Sequence, residues 1–187
     1  LGRRALVLVP EISLTPQMIL RLKSQFGRRV AVQHSALNHT ERLLQWQMIQ
    51  DGGADIVVGT RSAIFSPLEN VGLIIVDEEH EPSYKQQDPA PRYHGRDTAI
   101  VLGKFSGANV LLGSATPSVE SYHHAETGKY ALAELPRRYG EVEMPRISVV
   151  DIREAYAQGR MKGHFSLELI EAVQEALEEK KQVILFQ

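Results

Sequence analysis

Short apolar runs, many of them rich in β-branched residues, recur along the chain between residues 5 and 112. Each run is bounded by turn residues, a pattern typical of strands that are buried on both faces of a parallel sheet. We predict five such strands, at residues 5–9, 30–32, 55–58, 71–76 and 109–112.

Helix signals occupy the segments between these runs. Thr15 before a proline predicts the start of a helix that stops at Gly27, and a second helix is expected from about Thr40 to the next glycine pair. A third begins at Asp97, and a fourth ends near Gly128. Alternating strands and helices predict an α/β fold, a doubly wound parallel sheet.

The pattern weakens beyond residue 130. We predict a connecting segment at 136–165, with a short strand at 147–150 and a loop from Gly159 to Gly163. Ser166 is placed to cap an amphipathic helix, and an apolar run at 182–187 predicts the start of another strand. The expected division is therefore 1–135, 136–165 and 166–187.

Composition narrows the class of protein. The 187 residues suffice for one α/β domain, or for one domain and a piece of another. The net charge of −2 means that any nucleic-acid contact must come from local groups. The chain has no cysteine, which excludes disulfides and thiolate zinc sites within it and fits an intracellular protein. Its start, without Met and close to a strand, leads us to expect a fragment.

The strand at 71–76 ends at three acids and a histidine, residues 77–80. Ligands of open α/β sheets bind outside the carboxyl ends of the strands. Two adjacent carboxylates there suit a nucleoside triphosphatase, in which one holds Mg²⁺ and the other orients the attacking water. A solvated acidic turn is the alternative, and the acids alone do not decide between the two.

Four strand ends carry polar segments, at 10–17, 59–63, 77–80 and 113–116. In this order and spacing they resemble motifs Ia, Ib, II and III of superfamily-two helicases. The residues at 83–87, 92–94 and 113–118 make the chain similar to the replication-restart (PriA) helicase family. The resemblance covers nearly the whole chain and implies a RecA-like P-loop NTPase helicase domain.

The resemblance also implies roles for the strand-end residues. Asp77 would hold Mg²⁺ through water and Glu78 would position the hydrolytic water, which makes these two the catalytic residues. His80, Ser114 and Thr116 would couple hydrolysis to unwinding, although a hydroxyl after a strand also caps helices routinely. For Glu79 a supporting or surface position and a direct function both remain open.

DNA contacts are expected at two places. Motifs Ia and Ib lie at helix N-termini, which favour anions such as a DNA phosphate. The loop at 81–97 resembles an aromatic-rich loop that senses single-stranded DNA, with tyrosines for stacking on bases and cations for phosphates. Helix capping, a surface ion pair and a solvated loop are the competing interpretations. The expected DNA-binding residues are Thr15, Gln17, Thr60, Arg61, Ser62, Tyr84, Lys85, Arg92, Tyr93 and Arg96.

The family resemblance implies an ATP-dependent 3′-to-5′ helicase that uses Mg²⁺ and restarts stalled replication forks in the bacterial cytoplasm, not at a membrane. Single-stranded and forked DNA, single-strand-binding protein and primosome proteins are the expected partners. The family's phosphate loop, Gly-Lys-Ser/Thr, does not occur in this sequence. We expect it on a preceding segment, with a second motor domain and a zinc module following, so the isolated chain should be inactive.

Two rival classes remain. A RecG-like or restriction-type translocase would share motifs II and III but not the residues at 84–87. A non-enzymatic DNA-binding or partner-docking domain would tolerate the loss of Asp77 and Glu78. A dinucleotide-binding enzyme is disfavoured because no Gly-x-Gly-x-x-Gly follows any strand.

Overall fold

The computed structural model describes residues 2–136, 140 and 145–186. The chain divides into two compact units, Leu1–Leu132 and Ala133–Gln187, each of which is described by itself. Residues 137–139 and 141–144 of the predicted connecting segment lie outside the described residues. The three-part division of the chain stays a prediction.

Five parallel strands form the sheet of the first unit. They are β1 (Arg4–Leu8), β2 (Val30–Gln33), β3 (Ile56–Gly59), β4 (Val71–Val76) and β5 (Asn109–Leu112), in the order β2-β3-β1-β4-β5. The predicted strands are confirmed, because runs of β-branched and aliphatic residues pack well on both faces of a pleated sheet.

Four helices connect these strands or follow them: α1 (Pro16–Phe26), α2 (His39–Gln50), α3 (Gly95–Ser106) and α4 (Val119–Glu126). Thr15 caps α1, since its hydroxyl accepts a hydrogen bond from the Met18 N–H at 3.3 Å. Helix α3 begins two residues before the predicted Asp97, because an antiparallel bridge between Lys85 and His94 delivers the chain directly to its first turn.

Helices cover both faces of the sheet. Inward residues on one face pack with α2 and α3, and alternate residues on the other face pack with α1, as the strand period of two requires. This confirms the doubly wound α/β fold. The first face centres on Leu6, Leu8, Val57, Ile74, Val76, Ile49 and Ala99, and the second on Val9, Val30, Val58, Met18 and Leu22.

The two edge strands differ in how they are protected. The Val32 N–H of β2 donates a hydrogen bond to the side-chain oxygen of Gln45 in α2, at 2.7 Å. Such a contact occupies an edge group that would otherwise be open to another strand. At the opposite edge, Leu111 of β5 is 53% exposed and Leu73 of the neighbouring β4 is 37% exposed. The sheet therefore presents apolar side chains near its β5 edge.

The second unit contains α5 (Ile152–Ala157), a hairpin of β6 (Met161–Lys162) and β7 (Phe165–Ser166), and α6 (Leu167–Glu178). Ser166 caps α6 by accepting from the Leu169 N–H at 3.2 Å, as predicted. The loop predicted at 159–163 is wrong, because part of it enters the hairpin. In the part of the chain that is described, no helix combines the length and the hydrophobicity needed to cross a membrane.

The strands predicted at 147–150 and 182–187 do not form among the described residues. Ile147 is 79% exposed and Ile184 is 93% exposed. A strand is stabilised by a ladder of hydrogen bonds to a neighbour and by burial of one face, and neither segment has these in this structure. The apolar composition of a short segment is therefore not enough to predict a strand.

Candidate active site and nucleic-acid interface

The acidic turn at 77–80 is fastened between the carboxyl ends of β1 and β5. The Asp77 N–H donates to the Leu8 carbonyl at 2.9 Å, and the Glu79 N–H donates to the Gly113 carbonyl at 3.0 Å. These bonds continue the ladders of the sheet beyond the last residue of β4. The turn therefore has a fixed position at the carboxyl ends of the strands, where open α/β sheets bind their ligands.

Glu78 has an uncommon backbone conformation. Its φ is +47°, a left-handed value that costs free energy for a residue with a Cβ, and its N–H donates to Asp77 Oδ1 at 3.1 Å. The Glu78 side chain is 43% exposed, whereas Asp77 is half-buried. One carboxylate thus lies close to the end of the sheet, and its neighbour reaches solvent.

His80 lies beside the polar residues that follow β5. Its Nδ1 is 2.7 Å from Ser114 Oγ and 3.6 Å from Glu78 Oε2, and its Nε2 is 3.5 Å from Thr116 Oγ1. The imidazole therefore connects the acidic turn to the segment at 113–116. The structure brings these predicted coupling residues together; their role in coupling stays a prediction.

Glu79 is the residue that the sequence left undecided, and it is 2% exposed. Its Oε1 accepts from the Ser118 N–H at 2.6 Å, and its Oε2 accepts from Arg96 at 2.9 Å, Ser121 at 2.8 Å and the Ser118 hydroxyl at 3.0 Å. Burial acts to raise the pKa of Glu79, but these hydrogen bonds outweigh it and hold the pKa below its ordinary value. The carboxylate stays ionised inside the protein.

A sequence signal for this cluster exists in retrospect. Ser118 and Ser121 are three residues apart at the start of a helix, so their hydroxyls share one side of its first turn. Arg96 stands in the first turn of another helix. Two hydroxyls and a guanidinium at helix starts can together satisfy one buried carboxylate.

Arg96, predicted to contact DNA, points into the protein. Its side chain is 13% exposed, its Nη1 donates to Glu79, and its Nε donates to Asp97 Oδ1 at 2.9 Å. Because its donors are engaged by two carboxylates, the guanidinium does not offer a phosphate site in this structure. A phosphate contact of Arg96 would require the guanidinium to leave Glu79, and it stays a prediction.

Tyr84 also lies inside. It is 1% exposed, and its hydroxyl donates to the Asp77 carbonyl at 2.7 Å, so its ring has no face open to a base. Stacking of Tyr84 on a base would require the ring to leave this position, and it stays a prediction. Burial raises the pKa of the Tyr84 hydroxyl, with further contributions from the negative charges of Asp77, Glu78 and Glu81. The hydroxyl remains a neutral hydrogen-bond donor.

Arg61 anchors the loop at 81–94 to the end of β3. Its Nη1 donates to the carbonyls of Ser83 at 2.8 Å and Lys85 at 3.0 Å, and its Cζ lies 5.8 Å from the centre of the Tyr93 ring. A Cβ at Gly95 would come within 3.1 Å of Arg61 Cγ, which explains the small residue there. The guanidinium of Arg61 is used inside the protein in this structure, so a DNA contact would have to compete with the loop.

Some side chains in the outer part of the loop at 81–94 remain accessible to solvent. Lys85 donates to the Arg92 carbonyl at 2.6 Å, while the Arg92 side chain is 67% exposed and 3.4 Å from Asp88. Tyr93 is half-buried and packs edge-to-face on Phe65, with ring centroids 4.9 Å apart. Phe65 is 54% exposed and was not predicted from the sequence, although it follows motif Ib by one helical turn.

The residues of motifs Ia and Ib likewise divide into exposed and buried positions. Gln17 and Ser62 are exposed, and Thr15 is half-buried as the cap of α1. Thr60 is 5% exposed, and its N–H already donates to the Gln33 carbonyl at 3.1 Å. Its amide is therefore already engaged within the sheet, and the predicted DNA contact of Thr60 stays a prediction.

Comparison with known proteins agrees with the α/β fold described above. The DEAD/DEAH box helicase family matches residues 1–125. Proteins named replication restart protein PriA are similar over 99% of the chain: that of Bacillus subtilis is 48% identical, that of Haemophilus influenzae 45% and that of Chlamydia pneumoniae 42%. The match covers 23%, 25% and 25% of these relatives, so the chain spans about a quarter of their length. The chain therefore belongs to the DEAD/DEAH box helicases, and it is similar to PriA over nearly its whole length.

Proposed function

We propose that this chain is part of a replication-restart DNA helicase, which uses ATP hydrolysis for 3′-to-5′ movement at stalled or collapsed forks and loads the primosome there. The observation that carries the proposal is the contact between His80 and Ser114, which joins the acidic turn to the segment after β5. The similarity to PriA relatives supports the restart role. The same relatives support a bacterial cytoplasmic setting with single-stranded and forked DNA, single-strand-binding protein and primosome proteins as partners.

The acidic turn fits a site for Mg²⁺ and ATP. Mg²⁺ keeps several waters and takes one or two carboxylates besides the phosphates of its nucleotide, which suits Asp77 at the end of β4. Bound MgATP supplies the terminal phosphoryl group that is transferred to water. Glu78, with an exposed carboxylate, would orient that water and accept its proton.

We propose that the phosphate loop comes from another segment of the complete protein, and that this segment pairs along β5. The added strand would pair with the open backbone groups of β5, and the rest of that segment would cover Leu111 and Leu73, which are exposed on one face of the sheet near this edge. The zinc module expected by family resemblance would likewise lie in another part of the protein.

The proposed DNA surface is smaller than the sequence suggested. It consists of accessible groups around the acidic turn: Gln17, Ser62, Phe65, Arg92 and Tyr93. Aromatic faces of this kind can stack on bases and scattered donors can bind phosphates, so that a nucleic acid is held without its sequence being read. Arg61 and Lys85 would act mainly by holding the loop at 81–94 in place.

Substitution of the two acids in the complete protein tests the proposal. Asp77→Asn and Glu78→Gln should each lower DNA-stimulated ATP hydrolysis by about 10²-fold or more, the usual contribution of a positioned general base or metal ligand. Glu81→Gln removes a nearby carboxylate without touching the proposed chemistry and serves as the matched control. Near-normal turnover in either acid variant would contradict the role assigned to that residue.

Unwinding of partial duplexes distinguishes the proposed helicase from its rivals. A 3′ single-stranded tail should support strand separation and a 5′ tail should not. A non-enzymatic DNA-binding module would instead bind forked DNA equally well with and without Asp77 and Glu78, and would separate neither substrate.

A further inference from the structure

A buried ionic cluster joins three segments around the candidate active site. We call Glu79, Arg96, Ser118 and Ser121 the Glu79 cluster. The Glu79 carboxylate receives four hydrogen bonds of 2.6–3.0 Å from its other members. The chemistry proposed for Asp77 and Glu78 uses none of these residues.

The members of the Glu79 cluster belong to three different segments around the site. Glu79 directly follows the proposed catalytic Glu78. Arg96 lies in the first turn of α3, immediately after the loop at 81–94. Ser118 caps α4 by accepting from the Ser121 N–H at 3.3 Å, two residues beyond Thr116. An ionised carboxylate in the interior requires its partners, so these segments hold together.

The loop at 81–94 is attached on both sides of Glu78. Near its start, the Tyr84 hydroxyl holds the carbonyl of Asp77 at 2.7 Å. Just beyond its end, Arg96 holds the carboxylate of Glu79 at 2.9 Å. A displacement of the loop therefore acts on the residue between the two attachment points, Glu78, whose φ of +47° is already uncommon.

We propose that Glu79 and Arg96 are a positioning pair that transmits the state of the loop at 81–94 to Glu78 and to the His80–Ser114 contact, so that ATP hydrolysis responds to DNA. Glu79 is 2% exposed and the Arg96 side chain is 13% exposed, so we place the pair behind the site and not in contact with nucleotide. This inference rests on the proposed ATPase function and adds to it the residues that carry the DNA signal.

ATP hydrolysis by the complete protein, measured against single-stranded DNA concentration, tests the pair. Glu79→Gln and Arg96→Gln should each lower kcat at saturating DNA by about tenfold or more, within the usual range of coupling between sites. The KM for ATP and the DNA concentration for half-maximal stimulation should change by less than about twofold, because the nucleotide and DNA contacts remain. The double variant should resemble the single ones, since all three break the same link.

Two further variants separate positioning from general stability. Asp97→Asn removes the charge of the other carboxylate that accepts from Arg96, a side chain that is 59% exposed, and should leave the stimulated kcat within about twofold of the wild type. Arg96→Lys keeps a cation beside Glu79 and should restore most of the stimulation. If Glu79→Gln does not fold, Ser121→Ala removes one of the four donors and should still reduce the stimulated kcat.

The outcomes are distinguishable. A wild-type protein without DNA-stimulated ATPase activity would contradict the proposed function itself. A stimulated wild type with equally stimulated Glu79→Gln or Ser121→Ala variants would overturn only the positioning pair. The pair would also be overturned if kcat, both half-saturation constants and the melting temperature shifted together, or if Asp97→Asn behaved like Arg96→Gln, because a merely structural role gives those patterns.

Discussion

Tyr84 shows how one side chain can belong to the core and to the site at once. Its ring is among the largest fully buried side chains, and its hydroxyl donates to the carbonyl of Asp77. An aromatic residue beside a predicted DNA site suggests stacking on bases, but residue type does not tell which way the ring points. The ring of Tyr84 supports the backbone of the acidic turn from within.

We expect Tyr84→Phe to lower the free energy of unfolding by about 1–2 kcal/mol, because the Asp77 carbonyl loses its donor without gaining access to water. Urea unfolding of the chain, followed by the fluorescence of Trp46, measures this. Tyr93→Phe is the matched control, since the Tyr93 ring is half-buried at the rim, and should change the free energy by less than about 0.5 kcal/mol. Equal effects in both variants would remove the special role of the buried hydroxyl.

Tyr84→Phe should also change how the free energy of unfolding responds to alkaline pH. Burial raises the pKa of Tyr84 above the value of about 10 for an unfolded tyrosine, so the folded state keeps the proton longer. Stability from this group is fully present below about pH 10 and is lost as the pH rises further. Unfolding measured from pH 8 to 11 should therefore show a shallower loss in Tyr84→Phe than in the wild type. Identical slopes of the free energy of unfolding against pH in the two proteins would contradict the raised pKa of Tyr84.

Other residues at the site divide between those that a sequence motif can locate and those it cannot. Asp77, Glu78, His80 and Ser114 were placed together because carboxyl ends of parallel strands meet at one edge of a sheet. The inward position of Arg96 was not predicted, because its partner, Glu79, lies 17 positions away and only the folded chain brings the two together. Spacing predicts where the backbone goes, whereas burial decides which charges are left for a ligand.

The strands were the most predictable elements. Each of β1 to β5 is mostly a run of aliphatic and β-branched residues, and each predicted end differs from the observed one by no more than one residue. The elements that were missed, α5 and the β6–β7 hairpin, are only two to six residues long. Short elements depend on tertiary contacts, which local periodicity does not report.

At the scale of strand pairing, Gly59 is the residue whose substitution should do most damage. A Cβ there would lie 2.1 Å from the Gln33 carbonyl oxygen and 2.6 Å from Ala63 Cβ, closer than atoms can approach. Gly59→Ala should therefore force β3 away from β2 and lower the free energy of unfolding by about 2–4 kcal/mol. Urea unfolding compares it with Gly113→Ala.

Gly113 is a suitable control because it occupies the equivalent end of another strand. A Cβ at Gly113 would make only an ordinary contact of 3.7 Å with Asp77 Oδ1. That variant should lose less than about 1 kcal/mol. If both substitutions were equally tolerated, the close approach of β2 and β3 at Gly59 would not be a constraint on the sheet.

For the whole molecule, the chain contains the acids of the proposed ATP site and the segment that contacts them, but no phosphate loop. The sheet also ends at β5 with exposed leucines nearby. Most of the binding free energy for a triphosphate comes from backbone amides and a lysine that surround its phosphates. The acids alone would add negative charge beside a polyanion unless Mg²⁺ lies between them.

We therefore expect the isolated 187-residue chain to bind MgATP more weakly than about 1 mM and to hydrolyse it hardly at all, whereas the complete protein should bind in the micromolar range. Isothermal titration calorimetry with MgATP on both proteins gives the comparison, and the complete protein with Asp77→Asn shows how much the metal-binding acid contributes. Micromolar affinity in the isolated chain would mean that its own residues enclose the phosphates. The proposed division of the ATP site between this chain and a further segment along β5 would then be untenable. The exposed leucines near β5 would have to be covered by some other neighbour.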